Sequence, residues 1–313
     1  MTTLINDLKY SLRHLAQTPG FTLVAIVTLA VGIGVNAAVF GLIDGWMLRP
    51  LPGQRDGKLV RLFSRRDEPR GQYRSFSYPY FKALQEEDSP FSHLAAFSPC
   101  AQLLQQGGIS RTAVGAFVSS NFFDTLGVSP ALGRCFTAEE SQPGRHEPVV
   151  MLSHRLWQRL GGDSHLLGKN LILNDMPTTM VGVLPASLIS ASQLTNKDLW
   201  LPLGMMGNLS KSKDPETTPR LYSHDFRPLM LIGQVRPGLN QAALSSQLDP
   251  IVTHLANIDP QAYGKLNVTT GPVGNFLMGH GPDQPIAVNK PLTALIVVSA
   301  CTLIILASTP NRR

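Results

Sequence analysis

The chain has 313 residues, room for one to three domains and a buried core. Only 15% are charged, against about 25% in ordinary soluble domains, while 43% are hydrophobic, which excludes a disordered chain. Three cysteines exclude a disulfide-dense secreted scaffold, and the net charge of +6 is concentrated, since residues 49–74 alone hold eight basic and three acidic side chains.

In chain order, Ile5, Leu8, Leu12 and Leu15 recur at three- and four-residue spacing with Lys9 and Arg13 beside them. That pattern predicts an amphipathic helix over residues 1–20, suited to a membrane interface and ended by Thr18, Pro19 and Gly20. Residues 21–43 then run for 23 positions without a charge. At about 1.5 Å per residue they cover a hydrocarbon core of about 30 Å, so transmembrane helix 1 is placed over residues 21–48. Ala30, Gly34 and Ala38 form a weak small-residue ridge on it.

Two other readings fit parts of this stretch. Gly32, Gly34 and Ala37 match a dinucleotide-binding turn, but the apolar run before them is too long for one strand. A cleaved signal peptide would end near Ala37, yet the apolar run continues past it. The basic residues 49–74 read as a solvated face or arm, or as a polybasic segment meeting anionic lipid headgroups. No helix-turn-helix, zinc-knuckle or RNP-type pattern accompanies them, so no nucleic acid partner is expected.

Residues 51–290 have the mixed texture of an α+β domain. Strands are predicted at 58–63, 111–118, 148–152, 229–235 and 266–269, with a hairpin over 171–183 turning at Asn174 and Asp175. Short helices are predicted at 78–84, at 91–97, after Ser120 and Asn121 up to Gly127, and after Ser153 as N-cap. Leu244, Leu248, Ile251 and Leu255 mark one face of a longer helix. A second uncharged stretch, residues 291–310, is long enough for transmembrane helix 2, followed by Asn311, Arg312 and Arg313. Two spans put both termini on one side, and Arg312 and Arg313 place that side in the cytoplasm, although Arg49, Arg55 and Lys58 pull the other way.

Chemistry is sparse in this domain. There is no H-E-x-x-H, no C-x-x-C and no G-x-S-x-G. Residues 162–170 (GDSHLLGKN) approach a phosphate loop but have five residues between the glycines and Asn170 where Ser or Thr should hold Mg²⁺. His154, beside Arg155 and Trp157, reads as surface packing; Asp124, Glu139 and Glu140 read as capping or solvated acids rather than an acid pair. Cys100 and Cys135 lie in the same domain, which leaves a disulfide between them open, and Cys301 falls in the second span. No catalytic, cofactor-binding or metal-ligating residue is assigned.

Several segments together carry a resemblance. Residues 7–13 (DLKYSLR), 19–22 (PGFT), 29–40 (LAVGIGVNAAVF) and 48–52 (LRPLP) resemble the start of MacB/FtsX-like ABC transporter permeases, especially the large duplicated permeases of acidobacteria. Residues 77–79 (SYP), 118–123 (VSSNFF), 126–134 (LGVSPALGR), 152–157 (LSHRLW), 181–185 (VGVLP) and 236–239 (RPGL) resemble that family's MacB-like periplasmic core domain. The resemblance implies a two-pass protein of the bacterial inner membrane with cytoplasmic termini and residues 51–290 in the periplasm. It implies no enzyme activity and no cofactor, ATP being bound by a partner ABC ATPase subunit whose closure moves the periplasmic domain. Other expected partners are further permease copies or a missing transmembrane part, the lipid bilayer and a periplasmic adaptor protein. Because the family's helix usually continues into a basic loop and later spans, the chain is expected to be truncated after its second span. A membrane-tethered periplasmic interaction module without transport activity is the alternative, and a periplasmic enzyme with a cleft of titratable groups is a third.

Overall fold

The structure is a computed structural model. It describes residues 59–66, 73–85, 89–106, 108–144, 147–186, 197–206, 221–264 and 266–273, with positions 17–20, 22–24, 26, 27, 30, 33, 34 and 37 near the N-terminus. The chain divides into two compact units, Met1–Leu48 with Pro285–Arg313, and Arg49–Gln284.

In the first unit a helix starts where Thr18, Pro19 and Gly20 predict a break. Pro19 stands in its first turn, where a missing N–H costs nothing, and the Thr22 N–H and hydroxyl both bond the Thr18 carbonyl, at 3.0 and 2.9 Å. The described positions from 22 to 37 are all helical, and Leu23, Val24, Ile26, Val27 and Ile33 are each 53–65% exposed. Among the described residues no helix is long and apolar enough to cross a membrane. Most of the predicted interfacial helix, much of the first predicted span and all of the second (291–310) lie outside the described residues.

The second unit is built on one mixed sheet. Its elements in order are β1 (Leu59–Arg66), β2 (Tyr73–Arg74), α1 (Tyr78–Ala83), β3 (Phe91–Gln106), β4 (Ile109–Val118), α2 (Phe122–Thr125), β5 (Leu132–Gly133) and β6 (Val149–Leu152). Then follow α3 (His154–Arg159), β7 (Asn170–Leu173), β8 (Met176–Val183), β9 (Leu199–Pro202), β10 (Met230–Val235), α4 (Gln241–Ile258), α5 (Pro260–Tyr263) and β11 (Leu266–Pro272). The strand order is β11-β1-β10-β3-β4-β9-β6-β8-β5, with β2 on β1 and β7 joining β3 and β8. Pairing is antiparallel except β4 with β9 and β6 with β8.

Both faces of this sheet are apolar, which explains the weak alternation of its strands. Val60, Leu94, Ala96, Phe117, Val150 and Leu231 point to one face, covered by Tyr80 and Phe81 of α1, Leu156 of α3 and Leu244, Leu248 and Leu255 of α4. Leu59, Ala95, Phe97, Val118, Met151 and Ile232 point to the other, where Phe122 and Phe123 of α2 pack. Phe123 meets Trp200 edge-on at 5.9 Å. The same two-faced burial corrects the predicted helix at 91–97. Phe91, Leu94 and Ala95 mimic helical spacing, but Leu94 and Ala96 are buried on one face and Ala95 and Phe97 on the other, so this segment is the first half of the 16-residue β3.

Local signals hold where they are strong. Asn174 (φ 47°) and Asp175 (φ 67°) both take the left-handed conformation of a two-residue hairpin turn between β7 and β8. Asn174 also bonds back to β3, its N–H donating to the Leu103 carbonyl at 2.9 Å and its Oδ1 accepting from the Leu103 N–H at 2.7 Å. Ser153 caps α3, its hydroxyl accepting from the Leu156 N–H at 3.0 Å. Strand β9 escapes sequence reading because it is four residues long, ends in Pro202 and finds its partner 84 positions upstream. Gly115 makes that pairing close: a Cβ there would fall 2.5 Å from Leu199 Cδ1 and 2.9 Å from the Leu199 carbonyl oxygen.

Candidate functional site

The titratable residues singled out in the sequence are consumed by packing. His154 stacks edge-on against Trp157, ring centres 5.4 Å apart. Its neighbours Arg155 and Arg159 both reach Asp198 Oδ1, at 3.1 and 2.5 Å, while Asp198 Oδ2 accepts the Val114 N–H at 3.3 Å. One carboxylate thus ties α3 to the junction of β4 and β9. Glu140 is buried and takes a fork from Arg134, Nη2 to Oε1 at 2.6 Å and Nη1 to Oε2 at 3.0 Å. Burial pushes the Glu140 carboxyl up, but the Arg134 and Thr137 hydrogen bonds and the Arg134 charge outweigh it and hold it below the usual range. Asp124 and Glu139 are exposed, so the three acids form no working pair.

The near-phosphate loop at 162–170 is a capped turn. Asp163 Oδ1 accepts the His165 N–H at 2.8 Å, placing a carboxylate where an anion would need an open donor. Among the described residues no group of three or more His, Cys, Asp or Glu could hold a metal ion. Cys100 and Cys135 are free thiols. Cys100 packs against the α4-covered face of the sheet and Cys135 against the α2-covered face, so the sheet itself separates them and the open disulfide is answered in the negative.

One constellation is scattered in sequence and joined only in the fold: Ser77, His224, Asp259 and Tyr263 gather where α1 meets α5. The types suggest a nucleophilic triad, and the geometry rejects it. The Ser77 hydroxyl lies 2.8 Å from the Tyr263 hydroxyl and accepts the Tyr80 N–H at 3.4 Å as the cap of α1. His224 Nδ1 lies 3.0 Å from Asp259 Oδ2, and Asp259 Oδ1 caps α5 by accepting the Ala262 N–H at 3.0 Å. Tyr263 therefore stands between the serine and the histidine, with its ring 5.0 Å from His224 and 5.4 Å from Tyr80. Arg227 closes the cluster by donating to the Ala262 carbonyl. Burial raises the Tyr263 phenol, and the Ala262 N–H and His224 bonds lower the Asp259 carboxyl. The cluster is a latch holding the helical layer, not a reaction centre. Asp259 followed by Pro260, a cap residue before a first-turn proline, was its one sequence signal.

Within the basic run Arg65 and Arg74 are exposed, as a solvated face requires, and Arg61 departs from that reading. Arg61 is buried within β1, its guanidinium 4.6 Å over the Phe63 ring and Nη2 3.7 Å from Met230 Sδ, and desolvation lowers it to about 10. Arg65, on the same strand, lies over Tyr73 at 5.8 Å. Arg61 is thus part of the sheet and meets no lipid headgroup.

Comparison with known proteins follows the same outline. A family model described as MacB-like periplasmic core domain matches residues 22–251. A domain of a putative permease protein from Porphyromonas gingivalis is similar in fold, with TM-score 0.50 and 18% identity over 78% of this chain and 99% of that one. The periplasmic region of MacB from Actinobacillus actinomycetemcomitans aligns with TM-score 0.48 and 16% identity over 72% of this chain and 91% of that one. No curated protein matches the chain.

Proposed function

Because this chain belongs to the MacB-like periplasmic core domain family of ABC transporter permeases, we propose that it is an inner-membrane permease component. In this reading residues 21–48 and 291–310 cross the membrane, both termini are cytoplasmic and residues 51–290 work in the periplasm. The family match carries it: it begins at residue 22, inside the uncharged stretch, and runs through the sheet domain to residue 251. A helix whose Leu23, Val24, Ile26, Val27 and Ile33 are each more than half exposed also calls for an apolar surrounding, lipid or another helix.

The chain's part in transport is mechanical. A separate ATPase subunit binds and hydrolyses ATP on the cytoplasmic side, and the spans pass its closure to the periplasmic domain. A sheet packed on both faces, with α3 tied down by Asp198 and α5 by Tyr263, has a close-packed interior that transmits displacement instead of absorbing it. Alkaline phosphatase fused after Gly204 should be active and fused after Arg313 inactive; the opposite pattern overturns the topology. Co-reconstitution with the ATPase should raise ATP turnover, and turnover indifferent to this chain would refute the coupling.

A further inference from the structure

An open sheet edge must be paired, covered or blunted, because its backbone groups are a template for another strand. Strand β4 meets that need over half its length. One edge pairs with β3 throughout, from Ile109 with Gln106 to Val118 with Phe97. The other pairs with β9 only at residues 115–118, and among the described residues nothing pairs with it from Ile109 to Ala113. Both backbone groups of Val114 point to the β9 side: its carbonyl accepts the Asp198 N–H at 2.7 Å and its N–H donates to Asp198 Oδ2 at 3.3 Å. Backbone groups alternate sides along a strand, so the N–H and C=O of Ser110 and Thr112 face that same open side.

The side chains along this edge have a definite chemistry. Ile109 is 72% and Val114 45% exposed, apolar contacts at the two ends of the open stretch. Arg111, between Ser110 and Thr112, has a guanidinium nitrogen, Nη2, shut off from solvent and without a hydrogen-bond partner. The shielded Nη2 itself is beyond a partner's reach, but Arg111 is only half-buried and pairs with no carboxylate among the described residues, so its other guanidinium donors are a place for one. Lys197, Arg155 and Arg159 follow at the β9 end, where Asp198 is already shared by the two arginines.

We propose that the outer edge of β4 over residues 109–113 is a docking site for an extended acidic segment of a partner protein, which adds as a strand to Ser110 and Thr112 and sets a carboxylate on Arg111. Main-chain bonds supply the attachment and Arg111 the selectivity. A second copy of this chain is disfavoured in the register that pairs both outward residues. Antiparallel pairing of two such edges, Ser110 against Thr112, would place Arg111 directly opposite its own copy, and like charges there repel. The proposal holds whether or not the chain serves in transport.

The test uses the full chain in detergent micelles and a fluorescent synthetic peptide of alternating threonine and glutamate, with lysine replacing glutamate in a control peptide. Anisotropy should show saturable binding of the acidic peptide, about tenfold or more tighter than the basic one. Thr112→Pro removes an outward N–H and no bond to β3, so it should weaken binding about tenfold while leaving the melting temperature in place. Arg111→Glu should reverse the preference between the peptides, and added acidic peptide should slow hydrogen exchange at the Ser110 and Thr112 amides. Absence of binding, equal affinity for both peptides, or binding untouched by both substitutions overturns the proposal. So does protection of those two amides before peptide is added, since the chain would then already pair with its own edge.

Discussion

Replacing Glu140 with glutamine tests whether the turn between β5 and β6 is held by charge or by shape. The Glu140 side chain is 2% exposed and its partner Arg134 51% exposed. Besides the Arg134 fork, Oε2 accepts the Thr137 N–H at 2.8 Å and the Glu140 N–H donates back to Thr137 Oγ1 at 3.2 Å, the reciprocal pattern of a capping box. The turn also bears on the segment after β9, since a Cβ on Gly204 would lie 2.4 Å from the Glu140 carbonyl oxygen and 2.5 Å from that of Gln142. Glutamine keeps the volume and one acceptor. It turns charged hydrogen bonds, worth about 1.5–3 kcal/mol each, into neutral ones of about 0.5–1.5 kcal/mol. Arg134 is half in water, so the Coulomb part is discounted toward the 0.2–1 kcal/mol of surface pairs, roughly. The expected loss is about 1–2 kcal/mol, or roughly 2–8 °C in melting temperature for a domain of this size. Since the folded carboxyl titrates below its unfolded value, its contribution is present above the unfolded value of about 4.3 and is lost as pH falls through the folded one. Melting of wild type and Glu140→Gln, followed by tryptophan fluorescence, should therefore show a gap at pH 7 that closes below about pH 4. A gap that stays constant with pH, or is nil at pH 7, would refute the role of the charge.

Tyr263→Phe deletes the bond to Ser77 and should cost about 1 kcal/mol, with the Ser77 cap on Tyr80 retained; a neutral result in urea titration would mean the latch holds by ring packing alone. Pro250 lies exposed inside α4, so Pro250→Ala should raise stability by about 1–3 kcal/mol and increase helical ellipticity, and a loss of stability would show that the helix needs its proline. Gly204→Ala should destabilise more than Glu140→Gln, because the added carbon meets backbone oxygens that cannot step aside; equal melting of the two variants would count against the close contact. Cys100 and Cys135 should both alkylate in the unreduced, unfolded chain. In the folded chain Cys100 should react the slower, since burial pushes its thiol up to about 11, and a mobility shift on reduction would reveal a disulfide instead.

What the sequence reveals about this domain depends on how local the determining signal is. The turn at Asn174 and Asp175, the cap at Ser153, the stripe on α4 and the close of α2 at Gly127 are all decided within a few residues, and each lies where its pattern puts it. The first half of β3 carries a helical pattern because burial on both faces erases the period of two that identifies a strand. Arg61 shows the same limit for charge: composition counts it with the basic run, and only its place between Phe63 and Met230 removes it from the surface. The Tyr263 latch joins Ser77 to residues beyond position 220, a meeting that no spacing announces. The β4 edge was still less accessible, because hydrophobic patterns report where side chains point, whereas this site is made of backbone groups left over when β9 pairs with only half of its neighbour. Family membership, by contrast, is legible from ordered segments spread along the chain, not from a motif of reactive residues.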